Sequence, residues 1–479
     1  MNAIDLNWQP VTARSRIGAE WRDDAPLADV VSPYDGRLVG HMPLSTGQQC
    51  DAALSAARRG ADVMARMPGY ERAALLRRIA DELTLAADEI ALLMCLETGK
   101  AIKDCLAEAR RAPETFRLCA EEATRIEGEH IPMDATQIGA GKLCLMLRFP
   151  LGVVSAITPF NGPVHLATHK VGPALAAGNA VVLKPSPKAP LSVHRYVEAI
   201  TAAGVPDGSV NALYGDGVAP MMVSDPRADF VSFTGSIPVG KIIRDNAGMK
   251  RVALELGGVG PTFVHHDADL AEAAKACAVG GVAISGQSCV SVQNVYVHRS
   301  VEAEFTARVE AELAKLTFGD PLDPTTDVGT LIDEAAATRV MGMIERAAAQ
   351  GARINRGGER KGAMIDATLL TDVTPAMDIV SSEIFGPAFS IHGYDDPEPI
   401  FKTITDSPYG LQCGIFTNSL DLAMRCFRQT RTGGVVVNAT SRWRSDQMPY
   451  GGVKDSGMGR EGPRYTIREM TEERLLILN

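Results

Sequence analysis

Over residues 51–127 apolar side chains recur at spacings of three and four among charges, as in ERAALLRRIADELTLAADEIALLMCLETGK, and this period predicts amphipathic surface helices lying on a core. Over 128–148 the text turns irregular and then alternates, with Leu143, Leu145 and Leu147 set between polar and small neighbours, which predicts an inserted β-hairpin. From Pro150 to Leu256 short apolar runs (GVVSAIT, NAVVLK, VNALYG, FVSFTG, RVALELGG) are spaced by helical stretches. That is the pattern of βαβ units in a parallel sheet buried on both faces, and a nucleotide-binding domain is its natural reading. After Gly257 the alternation restarts with TFVHH, an Ala-rich helical segment, VQNVYVH and a helix over 301–316, so a second α/β domain is expected to begin there. No fixed-period repeat and no low-complexity segment occurs, which excludes solenoids and propellers.

Composition narrows the class. Of 479 residues, 46% are hydrophobic and 22% charged, which excludes intrinsic disorder and fits two or three folded domains. Forty-five glycines and 28 prolines favour a turn-rich α/β enzyme over a helical bundle. The 58 acidic residues outnumber the 48 basic ones, giving a net charge of −10 with no Lys/Arg block, so neither nucleic acid nor a membrane surface is an expected partner. Any anion-binding site must be local. The longest apolar stretch, 171–183, is broken by Gly172, Pro173, Gly178 and Asn179, and MNAIDLNWQPVTARSR holds no apolar core, so neither a membrane span nor an export signal is expected. Nine cysteines without C-x-x-C spacing fit a reducing cytoplasm, with no disulfide framework and no metal site; the odd count leaves room for a functional thiol.

Several segments carry candidate chemistry. In GQSCVSVQNVYVH, Cys289 follows a Gly286-Gln287-Ser288 turn and precedes a strand-like run, where a thiol can stand at the mouth of a cleft; most free cysteines are instead small buried hydrophobes. In ALELGG, Glu255 ends an apolar run before two glycines that permit close backbone approach. A carboxylate desolvated there is suited to general-base work, and a strand-end cap is the alternative. Asn161 follows a strand and a Thr-Pro pair, where its amide can donate to a developing oxyanion or simply serve a turn. Lys184 of KPSP ends a strand of the parallel set, where doubly wound sheets bind ligands, although solvated strand-end lysines are common. In FTGSIPVG, Gly235 and Ser236 open a helix whose amides can hold a pyrophosphate, without a G-x-G-x-x-G fingerprint. The glycine-dense PYGGVKDSGMGREG reads mainly as architecture.

Taken in order, TPFN, KPSP, FTGS, ELGG, GQSC, EIFGP and PYGGVKDSGMGREG resemble the aldehyde dehydrogenase superfamily along nearly the whole chain. The separations also suit that family, with 34 residues from Glu255 to Cys289, and 94 both from Asn161 to Glu255 and from Cys289 to Glu383. The resemblance implies an α/β fold. A Rossmann-like cofactor domain would take residues 1–127 and 149–256, a catalytic domain 257–452, and a small β oligomerisation arm 128–148 and 467–479, giving a homodimer or homotetramer. It implies Cys289 as the nucleophile that forms a thiohemiacetal, Asn161 and a nearby backbone N–H as the oxyanion donors, and Glu255 as the base that activates water against the thioester. For the cofactor, NAD with NADP tolerated, it implies Thr158, Pro159, Phe160, Lys184, Ser186, Pro187, Gly215, Phe233, Thr234, Gly235, Ser236, Leu256, Glu383 and Phe385. Lys184 and Glu383 would hold the riboses, Gly235 and Ser236 the pyrophosphate, and Phe385 the nicotinamide side.

Two positions depart from the commoner family pattern. Pro187 stands where a glutamate often excludes a 2′-phosphate, and Val259 and Gly260 follow ELGG. Relatives acting on lactaldehyde, glyceraldehyde phosphate, phosphonoacetaldehyde and semialdehydes suggest a short anionic aldehyde as substrate. Arg111 and Arg444, with Arg110 and Arg442 beside them, would then stand at the entrance. The competing functions are a CoA-acylating dehydrogenase, a branch that lacks the water-activating glutamate present here as Glu255, a thiol hydrolase, and a non-catalytic nucleotide-binding protein on the same fold.

Overall fold

The computed structural model describes residues 8–479; the first seven residues, part of the segment read as lacking a leader, lie outside it. Two parallel-stranded sheets dominate. In the first, Val153–Ile157 lies between Ala180–Lys184 and Phe230–Thr234, with Arg251–Glu255 beyond the latter and Val210–Ala212 beyond Ala180–Lys184. Val153–Ile157, Ala180–Lys184 and Phe230–Thr234 are buried at every residue, which is why their sequences are continuous apolar runs. The chain leaves Val153–Ile157 to one side and later returns on the other, so the carboxyl ends of these strands form a topological switch point. The second sheet runs Arg353–Arg356, Thr368–Thr371, Ala388–Tyr394, Asn294–His298, Thr262–Val264, Gln412–Phe416, Gly434–Val437, and is parallel except at its first edge. It begins just after Gly257, where the sequence pattern restarts.

The helices over 47–122 are α1 (Gly47–Arg66), α2 (Gly69–Thr98) and α3 (Ile102–Glu122). The expectation of surface helices holds for α1 but not for the second half of α2, where Leu93 to Thr98 are all buried. Its segment IALLMCLET is apolar on nearly every side, because α2 packs into one core with α3, α4 (Pro163–Ala177) and α5 (Pro190–Ala202). That core contains a buried carboxylate. Glu97 accepts hydrogen bonds from the backbone N–H groups of Leu191 (2.7 Å) and Ser192 (3.0 Å) and from the Ser192 hydroxyl. It thereby satisfies donors that the first turn of α5 cannot pair within the helix.

Residues 8–46 contribute strands with no clear period in the sequence: a small sheet of Val11–Thr12, Leu38–Pro43 and Leu27–Val31, and an antiparallel extension of the first large sheet by Ser15–Ile17 and Glu20–Arg22. Leu143–Pro150 pairs with Glu129–Ile131 on one side and, in unbroken register, with Thr471–Leu478 on the other. Glu129–Ile131 and Leu143–Pro150 pair antiparallel as the expected hairpin, with two 3-10 turns filling the connection between them. Leu475 to Leu478 remain about half exposed along the outer strand.

Truncating Glu97 to Ala strands three buried donors, so a loss of about 2–4 kcal/mol is expected. Glu97→Gln, whose amide oxygen still accepts, should lose clearly less. Thermal unfolding followed by circular dichroism checks the order.

Candidate active site

Of the nine cysteines only Cys289 is not fully buried. It stands between the helix Leu270–Val282 and the strand Asn294–His298, after a turn in which Ile284, Ser285 and Gly286 are all left-handed (φ 55°, 53° and 68°). The Ser285 hydroxyl, hydrogen-bonded to the carbonyls of Gly329 (3.1 Å) and Thr330 (3.0 Å), holds this strained turn. A Cβ at Gly286 would overlap the backbone of Gly386. The turn thus presents the thiol rather than burying it. Its sulfur lies 3.1 Å from the Tyr450 hydroxyl. Burial, with Glu255 adding to it, pushes the thiol well above its usual range.

Glu255 ends its strand under double constraint. Its backbone pairs with Thr234 on one side and with Gly457 on the other. Its side chain is buried, and neither carboxylate oxygen has a hydrogen-bond partner. Burial and then the charge of Glu461 push it up to about 7, against the pull of Arg444. The glycines that follow are required by contact: a Cβ on Gly257 would strike the Glu383 carboxylate, and one on Gly258 would sit 2.7 Å from the Cys289 carbonyl oxygen.

The Asn161 side-chain amide donates to the Gln287 carbonyl at 2.9 Å, which ties it to the cysteine turn. The turn carrying Asn161 is anchored by residues without a local signature. Glu108 of α3 accepts from the N–H groups of Val164 and His165, both at 3.0 Å, at the start of α4, and Lys100 pairs with Glu108. Lys170 and Arg444 both bind Glu461, at 3.2 and 3.0 Å. Burial alone would raise Glu461, yet these two cations hold it at about 2. The Arg444 guanidinium also lies 3.8 Å from the Tyr450 ring centroid.

The other expected site residues divide into two groups. Thr158, Lys184, Thr234 and Glu255 stand at the carboxyl ends of four adjacent parallel strands; Thr158 to Phe160 lead into Asn161, and Gly235 and Ser236 lead into the helix Ile237–Asn246. The buried hydroxyls of Thr158 and Thr234 have no partner, and no side chain caps that helix. Phe233 lies under Gly235, and Leu256 under Gly240. From the second sheet's side, Glu383 accepts from the Gly258 N–H at 3.2 Å and is pushed up to about 7 by burial. Phe385, left-handed at φ 46°, meets Phe160 edge-on at 6.0 Å. Lys184 pairs with Asp216, which follows left-handed Gly215. The Ser186 hydroxyl accepts from the Lys188 N–H at 3.2 Å. Pro187 and Lys188 line an open cavity of about 1050 Å³ that also holds Tyr34 and Asp333.

Of the arginines, Arg110 lies outside the site on Asp88, Arg111 grips Asp446 with a hydrogen bond of 2.8 Å and an ion-pair contact of 2.7 Å, and Arg444 is taken by Glu461. Arg442 is different. Its largely buried guanidinium has neither an ion pair nor a side-chain hydrogen bond among the described residues, and the charges that favour its ionised form are Asp104 first and then Cys289. Sequence reasoning missed Tyr450, Lys100, Glu108, Lys170 and Glu461. Tyr450 and Glu461 lie within PYGGVKDSGMGREG, whose glycine density signalled close packing and hid the two side chains that matter.

The aldehyde dehydrogenase family profile matches residues 21–476. The chain is 39% identical to the 3-sulfolactaldehyde dehydrogenase of Priestia aryabhattai, over 97% of both chains. It superposes at a TM-score of 0.95 on aldehyde dehydrogenase 21 of Physcomitrella patens in complex with its reaction product succinate, with 36% identity, covering 98% of this chain and 99% of that one. The same score relates it to the NADP-dependent glyceraldehyde-3-phosphate dehydrogenase of Bacillus halodurans complexed with NADP, at 35% identity over 98% and 99%. A profile match over almost the full length, with a part-buried thiol, an unpartnered buried carboxylate and an asparagine amide gathered where the motifs placed them, makes the chain a member of the aldehyde dehydrogenase family, oxidoreductases acting on aldehydes.

Proposed function

We propose that the protein oxidises a short anionic aldehyde to its carboxylate with NAD or NADP, through a thioester on Cys289. The observation that carries this reading is the pairing of one accessible thiol with a buried, unpartnered carboxylate in a single cleft. The Cys289 thiol gives up its proton to solvent, and its sulfur attacks the aldehyde carbon. The Asn161 amide keeps one N–H for the oxyanion while the other holds Gln287, and the Cys289 backbone N–H donates beside it. A nicotinamide held across the switch point would supply the acceptor for the hydride of this adduct. Glu255, near half ionisation at neutral pH, then removes a proton from water, the hydroxide adds to the thioester carbon, and the carbon–sulfur bond breaks to release the acid and the Cys289 thiolate.

For the cofactor, the unpartnered hydroxyls of Thr158 and Thr234 and the uncapped helix behind Gly235 and Ser236 suit a polar ligand lying across the switch point. Thr158, Pro159, Phe160, Lys184, Ser186, Pro187, Gly215, Phe233, Leu256, Glu383 and Phe385 complete the set. Pro187 cannot repel a 2′-phosphate. Lys184 and Lys188 are engaged by Asp216 and by Asp333 (2.9 Å), which weakens their attraction for one, so a modest preference for NAD with NADP accepted follows. Residues 1–127 and 149–256 serve the cofactor, 257–452 the reaction, and 128–148 with 467–479 the joining of subunits into a homodimer or homotetramer, as the half-exposed leucines of Thr471–Leu478 support. No helix among the described residues is long and apolar enough to cross a membrane, and we place the protein in the cytoplasm.

The anion reading turns on Arg442. Arg111 and Arg444, the two guanidiniums expected to meet the substrate, are each neutralised by a carboxylate, which leaves Arg442 to receive the substrate's charge with those two around it. The relatives' names agree in kind: a sulfonate, a phosphate and a product carboxylate each put an anion a few bonds from the aldehyde carbon.

Replacing Glu255 by Gln should leave a pre-steady-state burst of reduced cofactor while steady-state turnover collapses, and loss of the burst would assign Glu255 an essential role before hydride transfer. In the wild type, turnover limited by thioester hydrolysis should fall about tenfold per pH unit as pH drops below about 7, because only the ionised carboxylate accepts the proton. Arg442→Leu should lower kcat/KM by about 10- to 100-fold for an anionic aldehyde and little for a neutral one of equal length. Equal losses for both would refute the anion reading.

A further inference from the structure

His165 and His169 stand four residues apart on α4, and their rings meet edge-on at 4.6 Å. Facing them is Asp446, from the loop that also carries Arg442, Arg444 and Tyr450. The Asp446 Oδ1 atom lies 3.1 Å from His169 Nε2 and 3.6 Å from His165 Nε2, and the three ligand atoms fall within 4.8 Å of one another. Hydrogen bonding accounts for only part of this cluster. Both ring nitrogens of His165 are buried without a partner, as is His169 Nδ1. Stranded imidazole nitrogens next to a carboxylate need an explanation, since each costs free energy in an interior.

A four-coordinate zinc ion, with metal–ligand bonds of about 2.0–2.1 Å, sets the edges of its tetrahedron at about 3.3 Å. The two nitrogen–oxygen separations bracket that value. We propose that His165, His169 and Asp446 bind one divalent transition ion of zinc type, with the fourth position left to water. Two imidazoles and a single carboxylate select against magnesium and calcium, which prefer oxygen, and the absence of sulfur disfavours copper(I). Arg111 already holds both Asp446 oxygens, which lowers the charge the carboxylate offers, so the site should bind and release its ion with supply rather than hold it permanently. An ion there would tie α4, one turn after Asn161, to the loop that supplies Tyr450 and Arg442. No local motif marks the site, because Asp446 and His169 are 277 positions apart.

The test uses the full-length Cys289→Ala protein, which removes the competing thiol, stripped with chelator and titrated with Co²⁺. One equivalent per chain should bind, give the visible d–d absorption of a four-coordinate nitrogen/oxygen site, and be displaced by Zn²⁺. His165→Gln and His169→Gln, each in that background, should abolish the absorption. Absence of the bands in the Cys289→Ala protein itself would overturn the proposal without recourse to the histidine variants. So would their persistence in both variants, which would place the ion elsewhere, for instance at the histidines 265, 266 and 298, whose rings pack at 4.2–5.2 Å.

Discussion

Glu255 is a buried acid beside the part-buried thiol of Cys289, and its charge makes that thiol harder to ionise. Burial raises both, and with no hydrogen bond to stabilise the carboxylate its proton affinity reaches the neutral range. Much of the surrounding structure serves to maintain this unfavourable pairing. Glu255 is clamped between two neighbouring strands, Gly258 lets the Cys289 backbone close in, and a strained turn held by Ser285 stops the thiol from sinking into the core. The ionised Glu461, fixed by Lys170 and Arg444, adds a permanent negative charge that keeps Glu255 basic. The cost falls on backbone geometry and on buried ion pairs, which a large, well-packed core can carry.

This arrangement explains why the site was legible in short stretches of sequence. Groups that must approach through backbone, such as Gly257, Gly258 and Gly286, leave a local trace, because only glycine fits where a Cβ would collide. The parallel strands were equally plain, since burial on both faces writes an uninterrupted apolar run. What escaped was pairing at long range. Arg111 and Asp446 are 335 positions apart, and Lys170 and Glu461 are 291 apart. Nothing near either member of such a pair distinguishes it from a solvated charge. The second half of α2 was misjudged for a related reason: its burial is decided by α3, α4 and α5, which the period of one helix does not report.

The same distinction separates Arg442 from its neighbours. On sequence Arg111 and Arg444 were the expected substrate contacts, with Arg110 and Arg442 beside them. Partners found only in three dimensions neutralise three of the four and leave the Arg442 guanidinium without an ion pair among the described residues. Cofactor choice follows the same logic at the other end of the cleft, where Pro187 removes a repulsive charge while Asp216 and Asp333 quench the lysines on either side of it.

The effect of the carboxylate on the thiol is open to direct measurement by the rate at which iodoacetamide alkylates Cys289 as a function of pH, without substrate or cofactor. The account predicts slow alkylation at neutral pH in the wild type, rising only well above pH 9, and a titration shifted to lower pH in Glu255→Gln, where the neighbouring charge is gone. A thiol that titrates below pH 8 in the wild type, unmoved by Glu255→Gln, would contradict it.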